Sequence, residues 1–84
     1  MDEFERKVIL ESIFSEHGVA RRIRLSIFPK EITIEELLEK TWKILQTYKV
    51  RQNEDSKEYR EAILDYAREN YNKIIQDAKY HEIH

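Results

Sequence analysis

Apolar residues recur every three to four positions over most of the chain, which is the period of an α-helix. The clearest such stretch starts at Thr33-Ile34-Glu35-Glu36, a sequence that fits a helix capping box. We therefore predict a helix over about 34–50. One face of that helix would carry Ile34, Leu37, Leu38, Thr41, Ile44, Leu45 and Tyr48.

An earlier stretch has the features of a second helix, over about 2–17. Acidic residues at its start suit the positive end of a helix dipole, and Gly18 directly after His17 is a common helix stop. Its apolar residues cover a wide arc, so we expect this helix to contact more than one neighbour.

A third helix is predicted over about 56–79, capped by Asp55 or Ser56. Its apolar residues form two lines, which indicates one contact with the core and another with a second chain. The main line is Tyr59, Ala62, Ile63, Tyr66, Ala67, Asn70 and Ile74, and the second is Leu64, Tyr71, Ile75 and Ala78.

The spacing of apolar residues in the segment 19–28 fits both a strand and a helix. Ile23, Leu25 and Ile27 alternate with polar residues, as in a strand, whereas Val19, Ile23 and Ile27 also have helical spacing. Pro29 favours an extended conformation at the residue before it. We favour an extended segment over about 22–28, with a helix as the alternative.

These elements predict a mainly α fold of three amphipathic helices and one short extended segment, forming a single domain over 1–84. A chain of 84 residues buries a limited share of its surface, and two of its helices have surplus apolar surface. We therefore expect a homodimer.

Composition narrows the expected function. The chain has no cysteine, so it forms no disulfide, and its formal net charge is −2. We expect a cytoplasmic protein without a membrane segment, a targeting segment, a cofactor or a small-molecule substrate. His81 and His84 are three residues apart, but we interpret them as a solvated tail rather than a metal site. No set of residues indicates catalysis, so we expect no enzyme.

The tightest basic cluster is formed by Arg21, Arg22 and Arg24. On a strand, Arg22, Arg24 and Ser26 would share one face. Two such strands, one from each subunit, would form a ribbon that fits the DNA major groove. The alternative is a solvated strand face whose arginines pair with glutamates.

The order strand, helix, helix over 21–69 resembles the ribbon-helix-helix family of dimeric DNA-binding regulators. The resemblance rests on Arg-Arg-Ile-Arg-Leu-Ser-Ile-Phe-Pro and on Ser-Lys-Glu-Tyr-Arg-Glu-Ala-Ile-Leu-Asp-Tyr. It implies that Arg22, Arg24 and Ser26 read bases, with Arg21 beside them, and that Ser56 and Lys57 lie near phosphate.

A second function competes with DNA binding. Aromatic residues are enriched at protein interfaces, and Trp42 and Tyr71 lie at the margins of predicted helix faces. The chain could therefore be a helical module that binds a partner protein through Trp42 or through the line of Leu64 and Tyr71. In the ribbon model Leu25, at the centre of the buried face of the ribbon, is predicted at the subunit interface.

Overall fold

A computed structural model describes residues 6–51 and 56–83, with the side chains of 80–83 left undescribed. Four antiparallel strands form one sheet, in which each strand pairs with the next along the chain. A single long helix follows. The elements are β1 (Lys7–Glu16), β2 (Val19–Ile27), β3 (Glu31–Leu38), β4 (Thr41–Lys49) and α1 (Lys57–Ile83).

The mainly α prediction is wrong. The described part of the range 2–17 is strand β1, and the range 34–50 contains most of β3, a turn and β4 rather than a helix. The capping box does not form: Thr33 is buried within β3 with its hydroxyl unpartnered, and Glu36 pairs with Arg21. The chain is therefore no all-α helical bundle.

Two predicted elements are present. The extended segment is β2, and the final helix is α1. Ser56 caps that helix, because its Oγ accepts a hydrogen bond of 3.1 Å from the Tyr59 amide. Asp55, the other predicted cap, lies outside the described residues.

Two-residue turns join the outer pairs of strands. His17 and Gly18 both have positive φ, of 52° and 81°, as a type I′ hairpin turn requires. Gly18 is thus a hairpin residue rather than a helix stop. Glu39 also has positive φ, 60°, between β3 and β4. These turns place the loops at residues 17–18 and 39–40 at the same end of the sheet.

The helix covers one face of the sheet and contacts β1, β2 and β3. Its buried residues are Ala67, Tyr71, Ile75 and Ala78, so most of the line predicted to be secondary is the core face. The core cluster combines three of these with strand residues of alternating spacing: Ile23, Leu25, Ile32, Ile34, Ala67, Tyr71 and Ile75.

Candidate interaction surface

The second face of the sheet is the candidate functional surface. No helix or strand within residues 6–51 and 56–83 lies on it. Strand alternation and cross-strand register determine which side chains it carries. They are Val8, Glu11, Ile13, Ser15, Ala20, Arg22, Arg24, Ser26, Glu31, Thr33, Glu35, Leu37, Trp42, Ile44, Thr47 and Lys49. We call this the open face.

Glu35 is the centre of a charged cluster on the open face. The Nε of Arg24 donates to Glu35 Oε1 at 2.7 Å, and Arg6 Nη2 lies 3.6 Å from Oε2. Ser26 Oγ lies 3.3 Å from Oε1 and donates to it. The side chains of Arg24 and Glu35 are only 11% and 5% exposed. Two guanidinium groups thus share one carboxylate, which leaves the cluster with an excess positive charge.

This cluster has unused hydrogen-bonding capacity. Arg24 Nη2, Arg6 Nε and Thr33 Oγ1 are buried and have no hydrogen-bond partner. Buried polar atoms are nearly always satisfied by protein or water. The middle of the open face is therefore covered by long arginine side chains that are incompletely bonded, rather than by a packed apolar layer.

Trp42 lies beside this cluster, on β4. The guanidinium carbon of Arg24 is 3.6 Å from the Trp42 ring centroid, and that of Arg22 is 5.7 Å away. Both distances allow a cation–π contact. Arg24 therefore bridges β2, Glu35 of β3 and Trp42 of β4, and it holds the indole in a fixed position on the face.

Arg22 forms the second ion pair of the open face. Its Nε donates to Glu11 Oε2 of β1 at 2.7 Å, and this hydrogen bond, with the charge of Glu11, raises the Arg22 pKa above its ordinary value. Arg22 and Glu11 are more exposed than the pair formed by Arg24 and Glu35. The outer pair is thus solvated, while the inner pair is desolvated.

Exposed aliphatic side chains flank these charges. Val8 and Ile13 on β1 are 44% and 69% exposed, and Ile44 on β4 is 53% exposed. Ile13 is directly opposite Arg22, and Ile44 is directly opposite Glu35, so both belong to the open face. Val19, Leu38 and Tyr66 are also exposed, elsewhere on the molecule, so the open face is distinguished by aliphatic groups that border a tryptophan and arginines rather than by exposure alone.

The predicted DNA-binding residues divide between the two faces. Arg22, Arg24 and Ser26 share the open face, as their alternation predicted. Arg21 instead belongs to the covered face, where its guanidinium donates two hydrogen bonds of 2.7 Å to Glu36. The pKa of Arg21 is raised above its ordinary value, and the hydrogen bond to Glu36 is the largest cause. The three arginines therefore do not form one basic surface.

Of the predicted interface residues, only Trp42 lies on the open face. Leu25 is fully buried between sheet and helix, and Leu64 packs against the same core. The Tyr71 hydroxyl is 3.1 Å from the Ile23 carbonyl oxygen, to which it donates, and 2.7 Å from Ser12 Oγ. Leu25, Leu64 and Tyr71 therefore hold the helix to the sheet.

The remaining predictions concern the C-terminal histidines, metal binding and membrane spans. His84 and the side chain of His81 lie outside the part of the chain that the structure describes. Within the described residues, no three metal-ligating side chains gather into a group that could hold an ion. Among those same residues, no helix is long and apolar enough to span a membrane.

The strand–helix–helix order implied by the family resemblance is not observed, since β3 and β4 follow β2 before the helix starts. Over Ile23–Ile27, β2 also pairs with β1 on one side and with β3 on the other. It therefore has no free edge there for an intermolecular ribbon. No protein-family model, curated protein or solved structure matches the chain.

Sequence reasoning missed the roles of Arg6, Glu35, Ile13 and Ile44. All four were assigned to helices, where their faces are different. Their β-branched neighbours were an available signal: Ile32, Thr33 and Ile34 form a run typical of a strand. Once these segments are strands, alternation assigns each side chain to a face, and the register between strands places Ile13 level with Arg22 and Ile44 level with Glu35.

Proposed function

We propose that this chain is a small, non-enzymatic regulator that acts by binding a protein through the open face of its sheet. The observation that carries this proposal is the combination of exposed Val8, Ile13 and Ile44 around the arginine-stacked Trp42. Tryptophan and arginine are the residues most enriched at the energetic centre of protein interfaces.

The charges of the open face favour a protein over a nucleic acid as the partner. Phosphate backbones bind through arginine and lysine side chains that release counterions. Here Arg22 is paired with Glu11, and Arg24 and Arg6 share Glu35. These carboxylates offset much of the positive charge that would attract phosphate, whereas a protein surface can match both signs of charge.

The rigidity of the site also suits protein binding. Four hydrogen-bonded strands hold the backbone, and Arg24 fixes Trp42 by its stacking and its bond to Glu35. A side chain that is ordered before binding loses less conformational entropy when the partner arrives. The proposed site of action is the cytoplasm, consistent with a chain that has no cysteine to oxidise.

Site-specific photocrosslinking in cells that express the chain tests this function. A photoreactive amino acid at Ile44 should give discrete adducts with protein, and Trp42→Ala should greatly reduce their yield. The same probe at Val19 is a matched control, because Val19 is 64% exposed but strand alternation places its side chain on the covered face. Equal adducts from both positions would contradict the proposal.

A titration with DNA distinguishes protein binding from the competing function, DNA binding. Binding of DNA by Arg22 and Arg24 would weaken steeply with added salt and on Arg24→Ala. We expect no such salt-dependent binding at physiological ionic strength. The proposal would be contradicted if Arg24→Ala abolished a specific DNA complex and if nuclease removed the adducts formed at Ile44. The partner would then be a nucleic acid rather than a protein.

A further inference from the structure

The edges of the sheet are less suited to self-association than its open face. Exposed lysines lie on both edge strands, Lys7 on β1 and Lys43 and Lys49 on β4. Each edge strand also contains a register shift, between Val8 and Leu10 in β1 and beside Leu45 in β4. Edge lysines and bulges are the usual means by which sheets avoid edge-to-edge pairing.

The charge pattern of the open face is self-complementary. Anionic groups lie on β1 and β3 (Glu11, Glu31 and Glu35), and cationic groups lie on β2 and β4 (Arg22, Arg24 and Lys49). Arg24 and Glu35 are already desolvated within one chain. Covering them would therefore add little further desolvation cost, and most of the newly buried surface would come from exposed aliphatic groups and Trp42.

The positions of the apolar groups fit a two-fold axis parallel to the strands. Ile13 is opposite Arg22 in the register, and Trp42 is opposite Leu37. Because Ile23 is opposite Glu36, Arg22 and Leu37 lie at the same level, and so do Ile13 and Trp42. Rotation about such an axis brings β1 of one chain over β4 of the other.

We propose, on the basis of this function, that the partner seated on the open face is a second copy of the chain. In the dimer the two sheets stack face to face with the helices outside, and Ile13 of each chain packs over Trp42 of the other. Sheets stacked in this way lie about 10 Å apart. Arg22, between Ile13 and Trp42 on the same level, lies over Leu37 of the other chain, so its pair with Glu11 is enclosed in the contact.

The size of the face sets the area that this dimer can bury. Four strands spaced about 4.8 Å apart and about 30 Å long present roughly 600 Å². Two such faces would bury roughly 1,200 Å² in total, at the lower limit of standard specific interfaces. Contacts at this lower limit are typical of weak or transient complexes, so we expect a reversible dimer that dissociates in the micromolar range rather than an obligate one.

The first test is the mass of the purified chain over a concentration series from about 1 to about 500 µM, by sedimentation equilibrium. The average mass should rise from near that of one chain to near that of two, and the emission of Trp42, the only tryptophan, should shift to shorter wavelength over the same concentrations. A monomer at every concentration, with constant Trp42 emission, would overturn the proposal.

Matched variants place the contact on the sheet. Ile13→Asp should weaken the dimer at least ten-fold, whereas Val19→Asp should leave it unchanged. Both residues are exposed in one chain, at 69% and 64%, so neither change removes a core contact. Dissociation by Val19→Asp and not by Ile13→Asp would move the interface away from the open face.

Crosslinking tests the direction of the axis. The natural chain has no cysteine, so Ile13→Cys and Ile44→Cys chains each carry one thiol. A bismaleimide of about 10 Å should join a mixture of the two variants more efficiently than either variant alone. Efficient joining of Ile13→Cys to itself would contradict the proposed axis.

The results also separate this inference from the function on which it rests. If the purified chain stays monomeric while the probe at Ile44 captures one other protein in cells, the function stands and the second copy is wrong as the partner. If neither self-association nor adducts specific to Ile44 are found, both proposals fail.

Discussion

The two faces of the sheet bury side chains by different means. On the covered face, Leu25 and Ile34 are enclosed by aliphatic and aromatic groups from α1. On the open face, Ser26 and Glu35 are also buried, but the arginines of the same face cover them. The covered face is closed by the chain's own helix, whereas the open face leaves Ile13, Ile44 and Trp42 beside these arginines within reach of a partner. We therefore attribute the fold to the covered face and binding to the open face.

The largest expected contrast is between two isoleucines on neighbouring strands. Ile34→Ala removes a fully buried side chain, and we expect the free energy of unfolding to fall by about 2–5 kcal/mol. Ile44→Ala should change it by less than about 0.5 kcal/mol. Denaturant titrations of both variants check this contrast. Equal losses would mean that the chain itself packs on the open face.

The buried ion pair should give the next largest effect. Glu35→Ala leaves the charge of Arg24 buried without its carboxylate, so we expect a loss of about 3 kcal/mol. Glu61→Ala is a matched control, because its pair with Lys57 is solvent-exposed and should contribute less than about 0.5 kcal/mol. If Glu35→Ala were as mild as the control, the arginine layer would not contribute to the fold.

A smaller effect is expected at the hydrogen bonds that join helix and sheet. Tyr71→Phe removes the bonds to Ile23 and Ser12 and should cost about 1–2 kcal/mol. Burial also raises the Tyr71 pKa, against the opposite effect of the Ser12 hydrogen bond.

This pKa direction determines a pH dependence. The folded chain holds the Tyr71 proton more tightly than the unfolded chain does. The resulting stabilisation is complete below the ordinary tyrosine pKa of about 10 and is lost as the pH rises through the folded pKa. Between pH 8 and 11 the free energy of unfolding should therefore decline less steeply with pH in Tyr71→Phe than in the natural chain. Identical slopes would contradict this role.

The elements that sequence reasoning found are those with local signals. Pro29 and the alternation of Ile23, Leu25 and Ile27 were enough to favour β2, and a serine cap with long apolar periodicity was enough to predict α1. Neither element depends on knowing its neighbours.

The remaining strands were missed for a physical reason. A turn at 39–40 and the register shift beside Leu45 interrupt the two-residue period of β3 and β4. The apolar residues on both sides of these interruptions then fall at intervals of three and four, which imitates a helix. In β1, the shift after Val8 has the same consequence. Single-residue irregularities therefore reversed the predicted class of three elements.

The open face could be predicted only in part. Alternation within β2 was sufficient to place Arg22, Arg24 and Ser26 together. Their contacts with Glu35 and Trp42 depend on the register with β3 and β4, which no local pattern encodes. The same limit explains why Leu25 was assigned to an interface between chains rather than to the core.

The most direct test of this division between the faces is one double variant, Ile13→Asp with Ile44→Asp, measured for both stability and adduct formation from a photoreactive group at Thr47. Thr47 is exposed on β4 and pairs with Thr33 on the open face. We predict a free energy of unfolding within about 1 kcal/mol of the natural chain and loss of the adducts that the Thr47 probe gives in the natural sequence. A chain that unfolds, or one that keeps those adducts, would contradict the assignment of binding to the open face.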